Sequence, residues 1–316
     1  MQDLSPFLSI VMPAYNEEAA ITVSLTRLNG LLRDVDFTYE VIVVDDGSKD
    51  ETSSLVKLKC TEWPQLRLIS LQANRGHMIA LTAGLENAAG QWIVTIDADL
   101  QDPPEVIFDM LSVIQANPDV RVVYGVRGDR TSDSWFKKYS ASLYYRIIRK
   151  LTGVEAPRHA ADFRMMAREV VEIINQIPER NRVYRLLVPW LGFESETVLY
   201  TRAKRIAGNS HYKFRHMLAL AWDSVVSFSS RPLRIAMWLG VWVLIGFAVG
   251  SIIVISGHLR GADVPGWSST VLLIMFSSSI QLLTVGILGE YVARLYVEVQ
   301  RRPMYTLKKN EESPQD

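Results

Sequence analysis

Two carboxylates one residue apart, Asp97 and Asp99, sit in the stretch QWIVTIDADLQDPPE, residues 91–105. Residues 92–96 are apolar and β-prone, so the two acids leave the end of a buried strand. Pro103 and Pro104 stop that strand and fit the opening turn of a helix, where a missing N–H costs nothing. Oxygen-rich side chains at a strand's C-terminal edge lie where open α/β sheets bind ligands. Hard oxygen donors of this kind suit Mg²⁺ or Mn²⁺, with a diphosphate supplying further oxygens. An Asp-x-Asp pair also arises as simple strand-end caps and is weak by itself. It gains weight from Gln101 and Asp102 beside it, and from a second acidic strand end, Asp45-Asp46-Gly47-Ser48. There Asp46 is placed to accept hydrogen bonds from a base or ribose, while Asp45 is as readily a turn former. Pro13, Tyr15 and Glu17 close a first apolar run and form another wall, with Tyr15 able to stack on a base and Glu17 to bind a ribose.

The elements that must hold these groups are readable from periodicity. Residues 8–13, 39–44, 66–71, 92–96 and 120–126 read as strands. Residues 14–28 carry Ile21, Leu25 and Leu28 at helical spacing, with Asn16 as a cap and Glu17 and Glu18 at the positive end. Further helices are expected through Leu58 with Ser48 or Asp50 as cap, over 77–88, and over 103–115. Alternating strands and helices predict an α/β fold with a Rossmann-like, mostly parallel sheet and a cleft along one edge.

The bulk properties narrow the class. In 316 residues, 34 Lys and Arg balance 34 Asp and Glu, so no global field points to nucleic acid. A single cysteine, Cys60, excludes an intrachain disulfide and fits a reducing compartment. The N-terminus has no basic region ahead of an apolar run, so no cleaved leader is expected. Apolar residues crowd into 233–256, uncharged after Arg234, and 268–289, whose polar members are Gln281 and hydroxyl residues. Each is long enough to cross a bilayer; a buried helical hairpin is the plainer alternative. Arg231, Arg234, Arg294, Arg301, Arg302, Lys308 and Lys309 flank the pair, which by the positive-inside rule puts both termini and the α/β domain in the cytoplasm, under the plasma membrane. Basic segments 132–151 and 202–215 alternate with aromatics and suit either a solvated helix or an anionic lipid surface. Ser277, Ser278, Ser279 and Gln281 offer a face on which copies could pack as a homo-oligomer. The expected domains are therefore 1–200 catalytic, 201–232 interfacial, 233–256 and 268–289 transmembrane, and 290–316 a cytoplasmic tail ending in disorder.

The segments VMPAYNEE, VVDDGSKDET, NRGHMIALTAGLENAAG and DADLQDPPE, in this order and spacing, resemble glycosyltransferase family 2 of the GT-A fold. VRGDRTSDSWFKKYSASLYYRI, ADFRMM, PERNRVYR, KRIAGNSHYKF and LGEYVARLY before RRP are more specifically similar to its polyprenyl-phosphate hexose transferases, the group of dolichyl-phosphate mannose synthase and the two-helix bactoprenol glucosyltransferases. The resemblance extends to about Pro303. It implies a nucleotide pocket lined by Pro13, Tyr15, Glu17, Asp46 and Asp97, and a metal and diphosphate site of Asp97, Asp99 and Gln101. It further implies Asp162 as catalytic base and Arg127, Lys138 and Ser142 as ligands of the acceptor phosphate. Lys138 and Ser142 are four residues apart, on one face of a helix. Two positions depart from the pattern. Lys138 replaces an Arg and loses the bidentate fork. His211 replaces a Lys between Ser210 and Tyr212, leaving Arg205 or Lys213, with Ser210 and Tyr212, to meet the donor phosphate.

The reaction so implied is inverting, metal-dependent transfer of a hexose, with glucose from UDP-glucose favoured, to undecaprenyl phosphate. UDP-N-acetylglucosamine, GDP-mannose or a UDP-aminoarabinose derivative are alternative donors. A non-catalytic membrane partner retaining the nucleotide fold is the competing class, disfavoured by intact Asp97, Asp99 and Asp162. A processive synthase is disfavoured because no QxxRW motif follows.

Overall fold

A computed structural model describes residues 5–99, 101–128, 153, 160–180, 182–201, 231–260 and 266–308. The chain divides into two compact units: 1–214 together with 302–316, and 215–301.

The first unit is built on a seven-stranded sheet. Its strands are β1 (Leu8–Ala14), β2 (Tyr39–Asp45), β3 (Leu66–Ser70), β4 (Trp92–Thr95), β5 (Val122–Arg127), β6 (Ala160–Ala167) and β7 (Ser195–Tyr200), in the spatial order β3-β2-β1-β4-β6-β5-β7. Every pairing is parallel except those of β6, which runs antiparallel to both β4 and β5. All seven residues of β1 are buried, as a central strand covered on both faces requires. Successive side chains alternate between faces. Leu8, Ile10, Met12, Val41, Val43 and Val94 share a core with α1 (Ile21–Leu32), α2 (Thr52–Glu62) and α4 (Val106–Ala116). On the other face Val11 and Val44 press against Gly84 of α3 (His77–Asn87). A Cβ at Gly84 would meet Val11 Cγ1 at 2.2 Å, so only glycine lets this helix lie so close. Two further helices, α5 (Arg168–Gln176) and α6 (Tyr184–Trp190), follow β6.

Helix α1 buries Ile21, Leu25, Leu28 and Leu32, the stripe its spacing predicts. It starts later than expected, however, and Asn16 does not cap it. Asn16 adopts φ 53° and uses its side-chain oxygen to accept the Lys49 N–H at 2.9 Å, while its own N–H donates to Ser48 Oγ at 3.0 Å. Glu18 likewise accepts the Glu51 N–H at 3.2 Å instead of facing the start of its own helix. These polar groups lace the loop after β1 to the loop after β2. Asp50 accepts the Thr52 N–H at 3.0 Å at the start of α2, which continues past Leu58 to Glu62. Pro103 and Pro104 lie just ahead of α4, where their carbonyls accept the N–H groups of Val106 and Ile107.

The last described residues return to the sheet. Leu307 forms an antiparallel bridge with Leu71, Gln72 donates to the Thr306 carbonyl, and the Tyr305 hydroxyl donates to Glu86 at 2.7 Å. Residues 303–308 of the expected tail thus belong to the first unit.

The second unit contains α7 (Arg231–Leu259) and α8 (Trp267–Val299), the latter running ten residues past Gly289. They hold apolar spans at Leu233–Ile253 and Leu273–Val299, 6% and 0% buried. Trp238, Trp242, Leu244, Phe247, Ile252, Phe276 and Leu282 are more than half exposed. Their apolar side chains are largely exposed rather than gathered into a core.

Candidate functional site

The chemistry-bearing groups collect at the C-terminal ends of the parallel strands. β4 ends at Thr95, and the chain carries Asp97 and Asp99 just beyond it. The buried Ser24 hydroxyl of α1 reaches the Ala98 carbonyl at 2.6 Å and pins the backbone between the two acids. Asp99 Oδ1 accepts the Gln101 N–H at 3.1 Å, folding the loop so that Gln101 and Asp102 are both buried.

Asp162 reaches the same edge from the opposite direction. Because β6 is antiparallel, with Arg164 opposite Thr95, its first residues lie past the end of β4. The Thr95 hydroxyl donates to the Asp162 carbonyl and fixes this register. Arg164, two residues on and 1% exposed, shares a strand face with Asp162 and donates to its Oδ1 at 2.5 Å and to the Tyr184 carbonyl at 2.9 Å. Arg185 at 4.0 Å and His77 Nε2 at 3.8 Å face the other oxygen of Asp162, and His77 is also 3.8 Å from Asp97 Oδ1.

These neighbours separate the two acids electrostatically. Burial pushes Asp97 up to about 6; His77 opposes the shift, while the charges of Asp162, Asp102 and Asp99 add to it. Burial also works against charge on Asp162, yet Arg164 above all, with Arg185, His77 and Arg127, holds it below the usual carboxylate range. One carboxylate is thus strained toward neutrality and the other locked as an anion, the kind of split that marks working sites. Asp97, Asp99 and Gln101 are the groups available to a cation. Among the described residues no three carboxylate, imidazole or thiol groups are assembled around one point. A divalent ion that takes one or two carboxylates completes its shell from substrate phosphates.

The wall after β1 and β2 is also built as paired loops. Tyr15 is 41% exposed and available for stacking, Glu17 is half-buried, and Pro13 is buried in β1 opposite Val44. Asp46 is 2% exposed, and its two oxygens accept the N–H groups of Arg75 and Gly76 at 2.7 and 2.8 Å. It holds the loop that leads into α3 and His77. Asp45 accepts the Ser48 N–H at 3.0 Å, the turn-forming role. Gly47, at φ 68°, is required there because a Cβ would come within 2.7 Å of the Ala73 and Asn74 backbone. Arg127 ends β5, with its charge bearing on both Asp97 and Asp162. Lys138, Ser142, Arg205, Ser210, His211, Tyr212 and Lys213 lie outside the described residues.

Comparison with known proteins bears directly on this edge. Residues 9–174, from β1 through most of α5, match the family described as Glycosyl transferase family 2. The chain belongs to glycosyl transferase family 2. It is a glycosyltransferase, and its likeness to curated members runs almost end to end. It is 37% identical to an uncharacterized glycosyltransferase of Bacillus subtilis, YkcC, over 96% of this chain and 93% of that one. It is 36% identical to the SfII prophage-derived bactoprenol glucosyl transferase of Shigella flexneri, over 96% of this chain and 98% of that one. Among solved structures, glucosyl-3-phosphoglycerate synthase of Mycobacterium tuberculosis is similar at 20% identity and a TM-score of 0.48, covering 70% of this chain and 78% of that one.

In this glycosyltransferase the residues that sequence reading passes over are His77, Arg164, Arg185 and Tyr200. Two left a signal. Asp162 and Arg164 are i and i+2 in a β-prone run, and His77 follows a turn-forming Asn-Arg-Gly. The strands β6 and β7 were not anticipated, and without them neither Arg164 nor Tyr200 can be placed.

Proposed function

We propose that the protein is an inverting, metal-dependent hexosyltransferase of the plasma membrane that moves glucose from UDP-glucose to undecaprenyl phosphate. One observation carries this reading. Asp97, Asp99 and Asp162 meet at one sheet edge, in a chain alike over 96% of its length to an enzyme named bactoprenol glucosyl transferase. The exposed apolar faces of α7 and α8, with Arg231, Arg234, Arg294, Arg301 and Arg302 near their ends, support a two-helix anchor with the catalytic unit in the cytoplasm. A water-borne donor and a lipid-borne acceptor would then meet at the Asp97 edge.

A divalent ion, Mg²⁺ or Mn²⁺, held by Asp97, Asp99 and Gln101 would offset charge on the departing diphosphate. The strained Asp97 fits such a cation, because a positive charge relieves its burial among three like charges. Tyr15 and Glu17 would contact the nucleoside, and Asp46 would act through the loop it pins. A phosphate-monoester oxygen attacks the anomeric carbon from one side as the carbon–oxygen bond to the nucleoside diphosphate breaks on the other, inverting that carbon. The acceptor's second pKa is about 6, so it is already largely dianionic at neutral pH. Asp162, held low by Arg164, is a weak base and is not needed to take a proton. Its role is to hold His77 and Arg185 facing the reacting phosphates.

Incubating the detergent-solubilised protein with undecaprenyl phosphate and a panel of nucleotide sugars tests the reading. A glucosylated lipid from UDP-glucose is expected, and no lipid-linked product with any donor would refute it. In the same assay Asp162→Asn should lower kcat by about tenfold or less. A loss beyond about a hundredfold, restored at high pH, would make Asp162 a true base.

A further inference from the structure

Asp102 is a buried charged group of the catalytic unit that the reading above does not use. It is 1% exposed, one residue past Gln101, and its Oδ2 makes no hydrogen bond among the described residues. Burying a carboxylate is costly unless it is paired and hydrogen-bonded. Its Oδ1 does have partners. The Tyr200 hydroxyl donates to it. Arg127 completes the set, with Nε 3.5 Å from the Tyr200 hydroxyl and a terminal nitrogen 3.7 Å from Asp102 Oδ1.

The sheet brings the three together by register. β5 and β7 are parallel and end side by side, with Arg127 opposite Tyr200 and the Gly128 N–H on the Tyr200 carbonyl at 2.9 Å. The Tyr200 ring is held edge-on to Phe163 at 5.7 Å, over Gly125, where a Cβ would come within 3.1 Å of it. The tyrosine is therefore rigid. Burial and the Asp102 charge raise its pKa, so it stays a protonated donor. The Arg127 side chain remains 30% exposed, anchored from behind and open in front.

We propose that Asp102 and Tyr200 are positioning residues: they brace the Arg127 guanidinium so that it presents its free donors to the phosphate of the acceptor. The inference rests on the reading above, in which Arg127 receives that phosphate. A flexible arginine would lose side-chain freedom on binding each anion, and bracing removes that cost beforehand.

Steady-state kinetics on the full-length protein test this with three variants. Tyr200→Phe keeps the ring against Phe163 and removes only the hydroxyl. It should raise the KM for polyprenyl phosphate by about tenfold, the scale of one hydrogen bond in a charged network, with kcat falling far less and the donor KM within twofold. Asp102→Asn should shift the acceptor KM in the same direction. Arg127→Ala should raise it further, and adding Tyr200→Phe to Arg127→Ala should do nothing more. If Arg127→Ala weakens the acceptor but Tyr200→Phe and Asp102→Asn do not, the bracing role is wrong while the Arg127 assignment stands. If Arg127→Ala leaves the acceptor KM unchanged, the assignment fails and the bracing role with it. A change in donor KM or metal requirement on Asp102→Asn, without a change in acceptor KM, would place Asp102 on the metal side instead and overturn the proposal.

Discussion

Replacing Asp99 by Ala removes metal-dependent turnover, a fall of about a hundredfold or more, as expected when a group holding an electrostatic catalyst is lost. Asp99→Asn separates charge from structure. Asn keeps an oxygen to accept the Gln101 N–H, so the loop is retained, yet the negative charge is gone. Both variants should therefore fail alike in the lipid-transfer assay, with Asn melting near the wild type. Turnover by Asp99→Ala that persists in excess chelator would show the metal assignment to be wrong. The same site carries a pH signature. Asp97, pushed up to about 6, must lose its proton before it ligates a cation. Calorimetric titration with Mn²⁺ should show affinity weakening by about tenfold for each pH unit below about 6, and little change above 7. A flat profile between pH 5 and 7 would exclude Asp97 as a ligand.

Removing the charge of Arg164 should produce the largest structural effect. Arg164→Met keeps the length of the side chain but leaves Asp162 with its strongest partner gone and removes the arginine donor from the Tyr184 carbonyl. Breaking a buried ion pair from one side costs about 3–5 kcal/mol, enough to lower the melting temperature of the catalytic unit by many degrees. The double variant Arg164→Met with Asp162→Asn should recover part of that loss, because the stranded charge is removed too. The sign of the pH dependence follows from the folded-state shift. Asp162 is depressed in the wild type, so its stabilising contribution is present above its unfolded value near 4 and is lost as pH falls through the lower folded value. In Arg164→Met burial dominates instead, and the group takes up a proton at higher pH. The stability gap between the two proteins should therefore be widest near pH 7 and shrink toward pH 4. A gap of constant size would mean that Arg164 acts through packing alone.

Much of the fold was legible because local patterns are physically sufficient for it. Five of the strands fall within two residues of their apolar runs at each end, and α1 buries the stripe its spacing announces. Where a residue had two possible partners, the chain alone could not choose. Asn16 has the chemistry of a helix cap, but its amide goes to Lys49, 33 residues away, once β1 and β2 are side by side. Asp46 has the chemistry of a nucleotide ligand, and once α3 packs on the sheet its two oxygens also accept the N–H groups of Arg75 and Gly76.

The amino-acid sequence by itself determined that two carboxylates leave a buried strand at the ligand-binding edge of an α/β sheet, since a short apolar run, Asp-Ala-Asp and Pro-Pro leave the backbone few alternatives. It also determined that two long apolar helices follow. Only the tertiary structure decided which charges those carboxylates face. The reversed direction of β6 carries Asp162 and Arg164 to the end of β4, and the register of β7 sets Tyr200 beside Arg127 and over Asp102. These partners are separated by about 65 to 100 residues along the chain, and strand pairing over such distances is set by the packing of the whole sheet. No local preference of Asp97 or Asp162 encodes it. The pattern of residues supplied the acids; their opposite electrostatic states came from the fold.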